Sequence, residues 1–130
     1  MTNIKAIFFD IDGTIRSFKT KTIPENTANT LRKLKEKGIK IFIATGRAPF
    51  HTTFLNDLLD FKFDGYITIN GQYCYLESGE VLNDKILSKE DIKNVLPYFK
   101  ENNIACDFAL LDGAFMNLKN LRVKWLEDEL

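Results

Sequence analysis

The sequence is poor in the side chains that bind metals through nitrogen and sulfur: its 130 residues include two cysteines and one histidine. Cys74 and Cys106 stand far apart, without the paired spacing of a zinc site or a redox motif, and neither chemistry is expected of them. They read as free, buried thiols in a reducing cytoplasm. His51 has no second ligand candidate near it and reads as a surface or capping residue. Net charge is also missing, because eighteen Lys and Arg balance eighteen Asp and Glu. No global field therefore draws nucleic acid or an anionic membrane surface, and neither partner is expected. No window approaches the ~20 apolar residues of a membrane span, and the first residues show no secretory signal. A cytoplasmic protein is expected. Seven glycines and three prolines are scattered as punctuation and form no linker. Repeats and low-complexity tracts are absent.

What is present is a chain that is 45% hydrophobic, enough for a folded globule that is one domain or part of a larger one. Its organising stretch is residues 4–14. An almost unbroken apolar run, too short for an ordinary helix, ends abruptly in Asp10, Asp12, Gly13 and Thr14. The run predicts a strand buried on both faces of a parallel sheet. Ligands of open α/β sheets bind beyond the carboxyl ends of the strands, where the two acids would lie. If both acids continue the strand they share a face roughly 7 Å apart, a gap that holds a phosphoryl group. One carboxylate can then act as nucleophile while the other cycles as acid and base. Gly13 supplies a turn that brings N–H groups towards an anion, and Thr14 adds a hydroxyl.

Residues 16–22 are polar and basic and read as a loop able to lie over the site, with Lys19 and Lys21 as solvated side chains. Pro24 suits a first helical position; Ala28, Leu31 and Leu34 recur at helical spacing, Lys33, Lys35 and Lys37 favour the negative end of the dipole, and Gly38 closes the helix. Residues 39–44 predict a second strand ending in Thr45-Gly46-Arg47. Strand, helix, strand makes a parallel unit that opens both strand ends on one edge of the sheet, so Thr45 and the Gly46 N–H can face the same anion as Asp10. Pro49 begins a helix with an apolar stripe of Phe50, Phe54, Leu55, Leu58 and Leu59. Residues 66–69 predict a third strand, ending in Asn70-Gly71. From Tyr73 the pattern changes to a hairpin (73–76 with 81–82), then a helix capped by Ser88 and Asp91. A second hairpin follows around Asp112-Gly113, and a final helix over residues 118–130.

The segment Asp10-Ile11-Asp12-Gly13-Thr14 resembles the first motif of the haloacid dehalogenase (HAD) superfamily, and the surrounding sequence resembles its Cof-type phosphatases. Ala44-Thr45-Gly46-Arg47 is similar to the second motif, and Asn70-Gly71 to the loop that lines the active-site entrance in that group. The resemblance implies a Rossmann-like parallel α/β sheet with three recognisable strands (residues 1–82), followed by part of an α+β cap (residues 83–130). It implies a Mg2+-dependent phosphohydrolase acting on a small phosphorylated metabolite. In that scheme Asp10 becomes an aspartyl-phosphate, and Asp12 protonates the leaving group and then activates water. Mg2+ is held by the Asp10 carboxylate and the Asp12 backbone carbonyl. Gly13, Thr45, Gly46 and Arg47 meet the phosphoryl group, although an arginine in a first helical turn, as Arg47 is expected to be, is more often structural than substrate-binding.

The family's third-motif lysine and fourth-motif acids have no match, and Asp107, Asp112, Lys119 and Lys124 are not assigned those roles. A poor phosphatase is therefore expected unless another polypeptide completes the site, and a catalytically silent fragment or binding module is the alternative. A receiver domain fits less well, since D-x-D lies here on one strand. With later strands missing, the first strand is expected to present a bare edge, favouring a homo-oligomer or a complementary chain.

Overall fold

The computed structural model describes residues 4–119. Five strands form one mixed sheet in the order β1-β2-β3-β4-β5: β1 (Ala6–Phe9), β2 (Lys40–Ala44), β3 (Gly65–Thr68), β4 (Tyr73–Leu76) and β5 (Val81–Asp84). The first three are parallel, with Phe8 opposite Phe42 and Phe42 opposite Gly65. β4 and β5 then add antiparallel. The expected α/β sheet is thus present, and the predicted hairpin extends it.

The helix α1 (Glu25–Glu36) crosses from β1 to β2. Pro24 is its N-cap, one position earlier than expected, because its extended ψ of 143° precedes the first helical residue. Gly38 takes φ +74° just past the helix end, a conformation that costs glycine nothing. Between β2 and β3 the predicted single helix is instead a 3-10 turn (Pro49–Thr52) and a short α2 (Phe54–Leu58). Breaking it rotates the stripe: Leu55 and Leu59 are buried whereas Leu58 is 52% exposed.

One apolar cluster joins Ala28 and Leu31 of α1 to Ile41 and Ile43 of β2, Leu55, Leu59, Phe63 and Tyr66, and it includes Ile11 and Ile15 from the loop after β1. Ile41 and Ile43 share a face, by strand alternation. On the opposite face Phe8 stacks on Phe42 at 4.9 Å yet is 56% exposed. This corrects the expectation that β1 is buried on both faces. β1 is an edge strand, with β2 as its partner among the described residues. The cysteines differ too, for Cys74 and Cys106 are half-buried free thiols.

Asp64 locks the sheet's start. Its Oδ2 accepts the Ile41 N–H at 2.9 Å and its Oδ1 the Lys40 ammonium at 2.8 Å, while Lys35 stands 3.6 Å away. Burial would raise its pKa, but these donors outweigh burial and hold it below the ordinary value. Tyr66, largely through burial, has its phenol pushed up to about 12.

Residues up to Lys85 form one compact unit and those from Ile86 another. In the second, α3 (Lys89–Glu101) opens with a capping box: Ser88 Oγ accepts the Asp91 N–H at 3.0 Å and Asp91 Oδ2 the Ser88 N–H at 3.0 Å. Strands β6 (Asp107–Ala109) and β7 (Ala114–Met116) make the predicted hairpin. Of the final helix expected over residues 118–130, Leu118 and Lys119 are not helical and the rest lies outside the described residues. No helix among the described residues is long and apolar enough to cross a membrane.

Candidate active site

β1 stops at Phe9, so neither acid belongs to the strand, contrary to the strand-spacing argument. Asp10 is an exposed residue just past the strand end, Ile11 is wholly buried, and Asp12 sits in a tight turn. The turn is organised by the Ile11 carbonyl, which accepts N–H groups from Thr14 (3.3 Å), Ile15 (3.0 Å) and Arg16 (2.8 Å). Burying Ile11 and Ile15 in the core anchors this loop, which is why a short polar turn can hold its acids in place. Gly13 takes φ +83°, where an L side chain is strained. Its N–H donates to the Arg16 carbonyl at 2.8 Å, so in this conformation it serves the turn.

The second strand end lies beside the first because β1 and β2 are parallel neighbours. Thr45 follows β2, is buried, and has its hydroxyl oxygen accepting the Arg47 N–H at 3.2 Å. Gly46 is exposed, and a Cβ there would meet Asn70 Oδ1 at 3.1 Å. Asn70 therefore lies against the Thr45-Gly46-Arg47 turn. Its N–H donates to the Thr45 carbonyl at 3.2 Å, and the Ile69 N–H to the Arg47 carbonyl at 3.0 Å. These two bonds end β3 at Thr68, earlier than expected, and draw Ile69 and Asn70 to φ +50° and +53°, followed by Gly71 at +94°. For a β-branched residue that conformation costs roughly 1–2 kcal/mol. The backbone strain falls on the segment that braces the turn.

Arg47 is the residue that links the two strand ends. Its Nε donates to Asp12 Oδ2 at 2.7 Å and its Nη2 to Asp12 Oδ1 at 2.8 Å, a two-pronged pairing that matches guanidinium to carboxylate. Its Nη1 reaches the His51 carbonyl at 3.3 Å. Arg16 Nη1 adds a third donor to Asp12 Oδ1 at 3.2 Å. Both guanidiniums lie over the Phe54 ring, at 5.3 Å for Arg47 and 5.9 Å for Arg16. Arg47 above all holds the Asp12 carboxyl below its ordinary pKa, with Arg16 adding to it against the opposing effect of burial. Arg47 in turn is raised, through Asp12 first and with a contribution from the charge of Asp10. One guanidinium thus feels both acids.

The structure therefore brings together Asp10, Asp12, Thr45, Gly46, Arg47 and Asn70 at the ends of three adjacent strands. Sequence reasoning missed Arg16, Phe54 and the left-handed Ile69. Arg16 had a faint signal, standing four residues after Asp12. Phe54 read only as part of an apolar stripe. The described residues contain no cluster of three or more His, Cys, Asp or Glu able to hold a metal ion. What they offer a cation is the exposed Asp10 carboxylate, a hard oxygen to which the family resemblance adds the Asp12 carbonyl. Such a donor set fits Mg2+, which is commonly held by one or two carboxylates with water and substrate phosphate completing its shell.

Known proteins resemble this chain in sequence and in fold. The YkrA protein of Bacillus subtilis is 38% identical over 92 residues, covering 71% of this chain and 34% of its own. Phosphatase YwpJ of the same organism is 28% identical over 100 residues, 77% of this chain and 34% of its own. Among solved structures, the phosphatase BT1666 of Bacteroides thetaiotaomicron superposes with a TM-score of 0.81 at 30% identity, covering 96% of this chain and 46% of that one. The sugar phosphatase BT4131 superposes at 0.76 with 37% identity, covering 95% and 47%. The chain spans about a third of the length of the curated relatives and just under half of these structures. Residues 7–128 match the haloacid dehalogenase-like hydrolase family, and the chain belongs to it.

Proposed function

We propose that this chain carries the nucleophile, the acid and the phosphoryl-binding turn of a Mg2+-dependent phosphohydrolase acting on small phosphorylated metabolites such as sugar phosphates. The observation that carries the reading is the convergence on Arg47 at the ends of parallel strands: its guanidinium pairs with Asp12 and feels the charge of Asp10, while its backbone N–H donates to the Thr45 hydroxyl. Relatives that are phosphatases, one of them a sugar phosphatase, support it.

In this reading an Asp10 oxygen attacks phosphorus, the ester P–O bond breaks, and Asp12 gives its proton to the departing oxygen. Water then attacks the aspartyl-phosphate, Asp12 takes a proton from it, the bond to Asp10 breaks, and inorganic phosphate leaves. Asp10 and the Asp12 carbonyl would hold Mg2+, which would supply positive charge to offset that of the phosphoryl group. Thr45 and the Gly46 N–H provide neutral donors to the same oxygens.

Asp12 is held ionised between Arg47 and Arg16, the opposite of what an acid requires. The arriving phosphoryl group is a competing anion for Arg47. Drawing the guanidinium from Asp12 to phosphate would bind substrate and free the carboxyl in one movement.

The same ion pair favours a second reading, a chain that binds phosphate without turnover, because a permanently paired Asp12 never donates. Hydrolysis of p-nitrophenyl phosphate with Mg2+, for the wild type beside Asp10→Asn, separates the readings. Activity lost in Asp10→Asn supports the hydrolase. Equal activity in both removes Asp10 as nucleophile, and no activity beside saturable phosphate binding supports the second reading.

A further inference from the structure

If Asp12 protonates the departing oxygen, whatever that oxygen is attached to must lie on the Asp12 side of the phosphoryl group, away from Thr45. The Asp12–Gly13 turn runs directly into the loop of residues 16–22, which Arg16 ties back to Asp12.

The loop is internally braced. The Ser17 N–H donates to the Thr22 carbonyl and the Lys21 N–H to the Ser17 carbonyl, both at 2.9 Å. Ser17 Oγ accepts the Lys19 N–H at 3.2 Å and the Thr20 N–H at 3.4 Å. Arg16 joins the loop to the acid, giving Nε to the Lys21 carbonyl at 3.0 Å while its Nη1 holds Asp12 at 3.2 Å.

From this scaffold Phe18 projects, 70% exposed. One edge of its ring lies on Gly13, where an added Cβ would collide with Cε2 and come within 3.1 Å of Cδ2 and Cζ. Gly13 thus leaves room for the ring through its missing side chain. An isolated exposed aromatic needs no explanation. Here the ring is carried by a braced loop, rests on the residue following the acid, and keeps most of its surface in water.

We propose that Phe18 is a specificity-determining residue, a platform on which the leaving group of the substrate lays a flat apolar face. The inference rests on the hydrolase reading above and deepens it. The site would then favour phosphomonoesters whose leaving group is a ring close to the ester oxygen over those with an open chain. Aromatic rings contribute both apolar area and a geometrically defined face to such a contact.

The test uses the full chain in an Asp10→Asn background, so that no probe is consumed, with Mg2+ present. Inorganic phosphate, glucose 6-phosphate and glycerol 3-phosphate are titrated while the Gly13 and Gly46 amide resonances are followed. With Phe18 present, glucose 6-phosphate should bind about fivefold more tightly than glycerol 3-phosphate, the ratio given by a contact of ~1 kcal/mol. Phe18→Ala should bring that ratio to about one and Phe18→Tyr should keep it, with phosphate affinity equal in all three proteins. A ratio near one with Phe18 present, or a ratio that survives Phe18→Ala, overturns the platform while leaving the phosphoryl site intact. Failure of inorganic phosphate to move the Gly46 resonance overturns the phosphoryl site, and the platform with it.

Discussion

Arg47→Ala would remove two of the three hydrogen bonds that hold the Asp12 carboxylate, leaving Arg16 at 3.2 Å. The gross attraction of unit charges ~4 Å apart is about 4 kcal/mol at an effective dielectric of ~20. Most of it is cancelled by dehydration and by ordering two long side chains, and exposed pairs retain only about 0.2–1 kcal/mol. This pair should retain more, because the geometry is two-pronged and the side chains are only 21% and 31% exposed. We expect a coupling of about 1–2 kcal/mol in a double-mutant cycle of Arg47→Ala with Asp12→Asn, measured by urea unfolding at pH 7. The cycle is needed because Arg47→Ala also removes the guanidinium from the Phe54 ring, a loss that Asp12→Asn does not incur. The pH dependence has a definite sign. Asp12 is depressed in the folded protein, so its contribution is complete above the ordinary value of 3.8 and fades as pH falls through the lowered folded value. The wild type and Arg47→Ala should therefore converge in stability towards acid. Carboxyl NMR should show Asp12 titrating higher in Arg47→Ala, and less so in Arg16→Ala. Coupling within about 0.3 kcal/mol of zero, or an unmoved Asp12 titration, refutes the assignment of Arg47 as the main group that lowers the Asp12 pKa.

Two further substitutions probe the scaffold behind the site. Gly65→Ala should destabilise by about 1–3 kcal/mol, because its Cβ would lie 2.8 Å from the Tyr75 carbonyl and 3.1 Å from the Phe42 ring, and backbone cannot swing aside as a side chain can; unchanged thermal unfolding would show that β3 and β4 separate easily. Asp64→Ala should cost about 1–3 kcal/mol at pH 7 by stranding the Ile41 N–H at the head of β2. Because Asp64 is depressed in the folded state, the difference from wild type should shrink as pH falls below about 4, and a gap that stays constant to pH 2 would place the loss in packing alone.

Much of the chain was determined locally and was legible in its residues. Strand and helix periods, Gly38 beyond α1, the Ser88–Asp91 capping box and both hairpins each follow from interactions within a few positions, and such interactions keep their sign in any fold. Asp10, Asp12 and Thr45 were legible for the same reason, as polar residues closing apolar runs. What only the tertiary structure decided are relations between distant segments. The apolar run of β1 looks the same whether it occupies the middle or the edge of a sheet, and only its neighbours leave Phe8 exposed. The lowered pKa of Asp12 depends above all on a guanidinium 35 residues away, delivered by the parallel register of β1 and β2. Ile69 has a residue type that favours strand, yet two hydrogen bonds to the turn after β2 outweigh that propensity and turn it left-handed. Phe18 lies on Gly13 because a braced loop folds back on its own start, and no period in the sequence encodes that return.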